Sequence, residues 1–316
     1  MNHIKVMDDS LANLIAAGEV VERPLSVIKE LVENSIDAQA SKINIELKDS
    51  GISQIIVSDN GIGVNKEDIP LMCKRHATSK ISNNIDLVNI TTLGFRGEAL
   101  ASIGAVSKVK ITSSVDGLNT YQYSNLDDST IKVAGNQGTS VEVNNLFYNT
   151  PVRFKHLSHP NYELSLITNL IKQISLIYPN ISFSIINNDK PVYSTVGNNN
   201  PLDVLTSMYG SNVSKEFSHI TTNSGDFTID AYIAHPIITR ASKKDVIISV
   251  NHRLIKNIKL EQAIIDGYKG YLHTNQYPII YLNIDLDPSL VDVNIHPTKQ
   301  QIKISFLNDL NNTISN

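Results

Sequence analysis

The segment VIKELVENSIDA, residues 27–38, has helical apolar spacing on one side and acids with an amide on the other. At about 100° per residue, Val27, Ile28, Leu31, Val32 and Ile36 fall on one half of a helix, the half that packs against a core. Glu30, Glu33, Asn34 and Asp37 lie close together with no basic residue among them. Glu30 and Asn34 are one turn apart, and so are Glu33 and Asp37, the second pair costing roughly 0.2–0.5 kcal/mol of like-charge repulsion when unscreened. A nearby cation would relieve that repulsion. A solvated acidic face is the alternative reading of the same residues.

The rest of the chain sets the frame for this helix. It has 316 residues, 41% hydrophobic and 18% charged, which at about 150 residues per domain suggests two globular domains. A single cysteine, Cys73, excludes an internal disulfide framework, favours a reducing cytosolic setting, and reads as a small buried apolar side chain. The opening residues MNHIKVMDDSLAN do not read as a signal peptide, and no run of about 18 apolar residues suggests a membrane span. The net charge of -4 argues against a protein that coats nucleic acid with its whole surface, although a local basic patch remains compatible with it.

Helical and strand-like patterns alternate, which points to an α+β or α/β class. KINIELKDSG and SQIIVSDNG read as two strands joined through a glycine turn, EDIPLMCKRHATSK as a helix and a loop, and LGFRGEALASIGAVSKVKIT as a glycine-rich loop, a short helix and a strand. YELSLITNLIKQISLIYP is helical and stops before Pro179. STVGNNNPLDVL breaks the pattern, so a boundary is expected near residue 200, followed by a second α+β unit with strands in DFTIDAYIAHP, DVIISVNHR and PIIYLNIDLDP.

Three glycine-bearing stretches carry chemical interest. Asp59-Asn60-Gly61, with Gly63 two residues on, ends a strand; a carboxylate there accepts from a ligand amino group while glycine lets the backbone approach, and the same residues also make an ordinary turn. LGFRGEAL sets Gly94 and Gly97 before a helix, where backbone N–H groups form an anion nest, or simply a capped loop. GNQGTSVEV puts Gly138 and Thr139 at a strand start. Neither a P-loop nor a dinucleotide fingerprint is present, so a nucleotide site would have to be of another kind.

VIKELVENSIDA, DNGIG, RHATSK, LGFRGEALASI and GTSVEV, in that order, resemble the GHKL ATPases, the superfamily of the ATP-binding gyrase chain, histidine kinases and a large heat-shock chaperone. Within it, IAAGEVVERPLSVIKELVENSIDA, GFRGEAL and FYNTP are similar to the MutL family of DNA mismatch repair proteins, from about residue 11 to the end. The resemblance implies a Bergerat-type α/β sandwich ATPase domain over residues 1–200, with a dimerising arm at 1–20. Residues 201–316 would form an α+β domain similar to the second domain of ribosomal protein S five.

The same resemblance implies a role for each matched residue. Glu30 is the general base that polarises the water attacking the γ-phosphate. Asn34 holds Mg²⁺ through its side-chain oxygen, and Mg²⁺ needs few protein ligands because phosphates and waters complete its octahedron. Asp59 accepts from the exocyclic amine of adenine, with Ala38, Ile62 and Gly63 around base and ribose. Thr78, Ser79 and Lys80 contact nucleotide; Gly94, Phe95, Arg96, Gly97, Glu98, Ala99 and Leu100 form a lid over the phosphates; Thr139 belongs to the last nucleotide motif. Lys299, in DVNIHPTKQQIKI, senses the γ-phosphate as a point charge. With no lysine on Glu30 and Asn34, their oxygens stay open to water and metal, and Glu33 and Asp37 take support roles.

Partners follow in the same way. ATP and Mg²⁺ close a homodimeric clamp that contacts DNA mainly through phosphates, with Arg253 at a matched DNA-binding position and Arg240, Lys243, Lys244, Lys256 and Lys259 nearby. The mismatch recognition protein MutS and a downstream nuclease or helicase are the implied protein partners, with a cytoplasmic, bacterial location and no membrane. Full-length relatives continue into a C-terminal dimerisation domain, and no metal-ligand spacing of His, Cys, Asp and Glu appears here, so no nuclease activity is expected of this piece. His252 stands where relatives commonly carry glycine, as does Gln39, and Asp8 and Asp9 charge an arm that is usually more apolar. A kinase or topoisomerase subunit, and a nucleotide-binding module that no longer hydrolyses ATP, are the competing readings.

Overall fold

The computed structural model describes residues 6–8, 14–15, 17–18, 20–81, 92–94, 96–292 and 303–315. Phe95, Lys299 and most of the expected arm lie outside the described residues. The chain divides into two compact units: the described parts of Met1–Asn83, Thr92–Ile171 and Asn180–Asn198 form the first, and Lys172–Pro179 with the described parts of Asn199–Asn316 fall in the second.

The first unit is a mixed eight-stranded sheet with helices. Its elements are α1 (Pro24–Asp37), β1 (Lys42–Lys48), β2 (Gln54–Asp59), α2 (Ala99–Val106), β3 (Lys108–Ser114), β4 (Thr120–Ser124), β5 (Ser129–Val133), β6 (Gly138–Asn144), α3 (Pro160–Ile177, whose part from Lys172 on falls in the second unit), β7 (Ser182–Asn187) and β8 (Lys190–Ser194), with sheet order β5-β4-β3-β6-β2-β1-β7-β8. Pro24 occupies the first turn of α1, where its missing N–H costs no hydrogen bond. Val27, Ile28, Leu31 and Val32 are buried as the periodicity requires. Ile36 is only half-buried, while Ser35 and Glu33 are buried in its place, which widens the packed face toward the polar side. β1 and β2 pair antiparallel with Ile43, Ile45 and Leu47 opposite Asp59, Val57 and Ile55, so one face of alternating apolar residues meets the helices.

Two sequence expectations need adjustment. EDIPLMCKRHATSK contains no α-helix: it forms turns and the short 3-10 stretch Pro70–Cys73, because Pro70 interrupts the amide ladder. Cys73 is half-buried rather than fully enclosed, and desolvation pushes its thiol up to about 11. Gln39 closes α1 with φ 58°, taking the left-handed conformation without being glycine.

The second unit holds α4 (Pro201–Tyr209), β9 (Phe217–Asn223), β10 (Phe227–Ala234), β11 (Val246–Val250), β12 (Arg253–Ile255), α5 (Ile258–Gly267), β13 (Ile280–Leu286) and α6 (Leu307–Ser315), with sheet order β12-β11-β13-β10-β9. Asn257 caps α5 by accepting from the amides of Lys259 and Leu260. Ile229, Ile248, Leu260, Ile264, Leu282, Ile284 and Leu310 sit in its core. Among the described residues, no helix is long and apolar enough to cross a membrane.

Candidate active site

The polar side of α1 faces the lid segment, and Lys80 stands between them. Its Nζ donates to Asn34 Oδ1 at 2.8 Å and to Asp37 Oδ2 at 2.5 Å. Asp37 also accepts from the amides of Leu93 at 2.9 Å and Gly94 at 3.1 Å, so it joins the helix, the lysine and the start of the lid. This corrects the expectation that no lysine occupies these oxygens: Lys80 lies 46 residues downstream of Asn34, beyond any helical spacing rule. Glu30 is half-buried on the same helix, and Glu33 pairs with Lys29 at 3.4 Å. Asn34 Oδ1 and Asp37 Oδ2 together hold a cation, so the donor set suits a divalent ion that would also take phosphate and water oxygens.

Asp59 ends β2 with its carboxylate fixed by three donors. Ser35 Oγ donates to Oδ2 at 2.7 Å, and the amides of Gly61 and Thr139 donate to Oδ1 at 2.9 and 3.2 Å. Desolvation nevertheless outweighs those hydrogen bonds and holds its pKa above the ordinary value. Backbones crowd around it: a Cβ on Gly61 would stand 2.5 Å from the Ala38 carbonyl, and one on Gly138 would stand 2.0 Å from the Asp59 carbonyl. The Ala38 carbonyl accepts from Ile62 N at 3.0 Å, leaving the Ile62 side chain exposed at the rim. Gly63 has φ +72° and no room for a Cβ, which would lie 2.0 Å from the Ser114 carbonyl. Thr139 Oγ1 shares a hydrogen bond of 2.9 Å with Ser113 Oγ, a partner the motifs did not reveal. Ser35 escapes the motifs for a similar reason: its role depends on a contact with β2, 24 residues away.

The loop and lid meet at Gly97. Thr78 Oγ1 accepts from Lys80 N at 3.1 Å, and Ser79 is exposed. The Gly97 carbonyl accepts from His76 N at 3.0 Å, and a Cβ on Gly97, at φ +62°, would stand 2.5 Å from the Ala77 carbonyl. Arg96, Glu98 and Ala99 are half-buried and Leu100 is buried, with His76 paired to Glu98 at 3.7 Å; α2 starts at Ala99.

The second-unit residues expected at DNA behave differently. Arg253 is 8% exposed, so its guanidinium is not part of an open basic ridge. It begins β12 after a hairpin turn in which Asn251 and His252 both take positive φ, 48° and 59°, as a type I′ turn requires. The His252 carbonyl accepts from Tyr178 Oη at 2.9 Å, and this turn therefore forms without glycine. Arg240 pairs with Asp245 at 3.5 Å, whereas Lys243, Lys244, Lys256 and Lys259 are exposed. In the arm, Arg153 Nη2 donates to the Leu14 carbonyl at 3.4 Å, and Ala17 is buried.

A carboxylate at a strand end, a helix bearing Glu and Asn, and a glycine lid define an ATPase fold of the GHKL type. Residues 22–146 match the family of histidine kinase-, DNA gyrase B- and HSP90-like ATPases. Residues 205–316 match the C-terminal domain model of DNA mismatch repair proteins, the α+β fold likened above to ribosomal protein S five. The DNA mismatch repair protein MutL of Staphylococcus carnosus is 44% identical over 308 residues, which cover 96% of this chain and 48% of that protein. A crystal structure of the N-terminal domain of a DNA repair protein superposes with a TM-score of 0.82 at 28% identity, covering 96% of this chain and 95% of that one. The Aquifex aeolicus MutL ATPase domain complexed with ADP shares the fold, with a TM-score of 0.65 at 23% identity over 93% of this chain and 97% of its own. The chain belongs to the MutL family of DNA mismatch repair proteins, and it spans about half the length of the curated relatives it matches.

Proposed function

We propose that the chain is the ATP-binding and slowly hydrolysing N-terminal region of a mismatch repair protein, a dimeric clamp gated by nucleotide. The observation that carries this reading is Asp59: a carboxylate fixed by Ser35, Gly61 and Thr139 at a strand end where glycines let the surrounding backbones pack closely. An adenine amine donates to such an acceptor, whereas a guanine carbonyl in its place is repelled. The Aquifex aeolicus MutL ATPase domain, which shares the fold, is complexed with ADP, and this supports a nucleotide as the ligand here.

In this reading Glu30 polarises the attacking water, and Asn34 takes Mg²⁺, which supplies charge neutralisation at the phosphates. Thr78, Ser79, Lys80 and the lid residues around Gly94 and Gly97 meet the phosphates. Lys299 contacts the γ-phosphate and Phe95 lies in the lid, roles that rest on the family resemblance alone. ATP closes the lid and brings two copies together; hydrolysis separates them. DNA phosphates, MutS and a downstream nuclease or helicase are the partners, in a bacterial cytoplasm. The buried Arg253 places less weight on that residue than on the exposed lysines for DNA contact.

Calorimetric titration with ADP tests the base site. Asp59→Ala should weaken binding by roughly tenfold to a hundredfold, the 1.5–3 kcal/mol of a hydrogen bond to a charged group. Equal ADP affinity in both proteins would contradict the assignment. Light scattering with a non-hydrolysable ATP analogue tests the clamp: the mass should double with the analogue and stay monomeric without it.

A further inference from the structure

The side-chain oxygen assigned to a metal ion is already holding a cation. Lys80 Nζ reaches Asn34 Oδ1 and Asp37 Oδ2 together, and the Asp37 side chain is only 7% exposed. The same carboxylate accepts the amides of Leu93 and Gly94, so its two oxygens take three donors. Gly94 is packed directly against this group: a Cβ there would stand 3.1 Å from Lys80 Nζ, 3.4 Å from Asn34 Oδ1 and 3.7 Å from Asp37 Oδ2. An ammonium and a divalent ion cannot share Asn34 Oδ1, because like charges a few ångströms apart in a half-buried site repel strongly. Whatever ion comes to Asn34 must first see Lys80 leave. A lysine held by a charge-assisted hydrogen bond leaves readily only toward another anion, and a polyphosphate is such an anion.

We propose that Asp37 is a positioning residue that parks Lys80 on the metal-ligand oxygen of Asn34, so that a divalent ion enters only together with a polyphosphate that draws the ammonium away. The proposal rests on the nucleotide reading above. It gives Asp37 a defined role. In the nucleotide-free protein it holds the lysine and the lid entrance, and in the loaded protein it keeps the two lid amides while Lys80 turns to phosphate. Metal and nucleotide are then coupled, each raising the affinity for the other.

The test uses Mn²⁺ as the probe, read by electron paramagnetic resonance on the full chain without nucleotide. Lys80→Met should bind Mn²⁺ about tenfold more tightly than the wild type, 1.4 kcal/mol, because two oxygens are vacated. Adding Asp37→Asn to Lys80→Met should remove that gain. Amide hydrogen exchange in the segment carrying Leu93 and Gly94 should accelerate in Asp37→Ala and stay slow in Lys80→Met. If Asp37→Ala does not fold, Asp37→Asn, which keeps an acceptor but loses the charge, serves for the exchange measurement and should show a smaller acceleration. Unchanged Mn²⁺ affinity in Lys80→Met, or unchanged exchange in both Asp37 variants, overturns the proposal. An ADP titration run alongside separates the two ideas: absent ADP binding sinks the nucleotide reading, whereas the Mn²⁺ and exchange results judge the parking of Lys80.

Discussion

Asp59 shows how one residue links burial to binding. Its carboxyl is held above the ordinary value of 3.8 by desolvation, with the hydrogen bonds from Ser35, Gly61 and Thr139 opposing the shift. A folded-state pKa raised above the unfolded one favours the protonated form on folding, so this group's contribution to stability is full below 3.8 and is lost as pH rises through the folded value. In the proposed function ligand binding at Asp59 would run the other way, because the ionised carboxylate is the stronger acceptor for an amine. ADP affinity should therefore begin to fall on acidification before pH 3.8 is reached, and Asp59→Asn should bind more weakly with a flatter profile. Calorimetry across pH checks this; a wild-type profile as flat as that of Asp59→Asn contradicts it. At this scale the sequence revealed the residue but not its setting. Asp59 stands out beside Gly61 and Gly63, whereas Ser35 looks like any helix serine until β2 is laid against α1.

Among elements, the turns and the strand starts are the sensitive parts. Gly138 opens β6 at φ +115°, with a Cβ position 2.0 Å from the Asp59 carbonyl. Gly225, at φ +82°, has nothing within 4 Å of its Cβ position. Both substitutions to alanine carry backbone strain of about 1–3 kcal/mol, and only Gly138→Ala adds a backbone clash that moves β2. Thermal unfolding should show Gly138→Ala falling by more than Gly225→Ala, at roughly 2–4 °C for each kcal/mol in a unit of this size. ADP affinity should drop only in Gly138→Ala; equal effects of the two on both measures would contradict the close-approach argument. The strands and long helices were legible because apolar alternation and helical spacing are local signals. The segment around Pro70 was not, since a helical pattern there is broken by the proline itself. His252 and Gln39 show the limit of reading glycine from pattern: each takes positive φ where glycine was expected, and the His252 turn is further held by Tyr178.

At the scale of the whole molecule, the two units each have their own core, and the comparisons join both to one family. What the motifs could not show is the state of the site without nucleotide. Lys80 bound to Asn34 and Asp37 is a long-range contact, and no spacing rule in VIKELVENSIDA announces it. Asp37 looked unneutralised because its cation comes from another part of the chain, whereas Glu33 pairs with Lys29 on the same helix. In the proposed function the Lys80 contacts are the starting point of a cycle in which nucleotide, metal and lid would change together, with Glu30 as the proposed general base. Phosphate release in the presence of ATP and Mg²⁺, compared between the wild type and Glu30→Ala, is the direct measurement. Wild type should release phosphate slowly and only with Mg²⁺, while Glu30→Ala should retain ADP binding and lose about 10²–10⁴ in rate, the usual contribution of a general base. Equal rates in the two proteins, or no Mg²⁺-dependent release from the wild type, would contradict an ATPase built on Glu30.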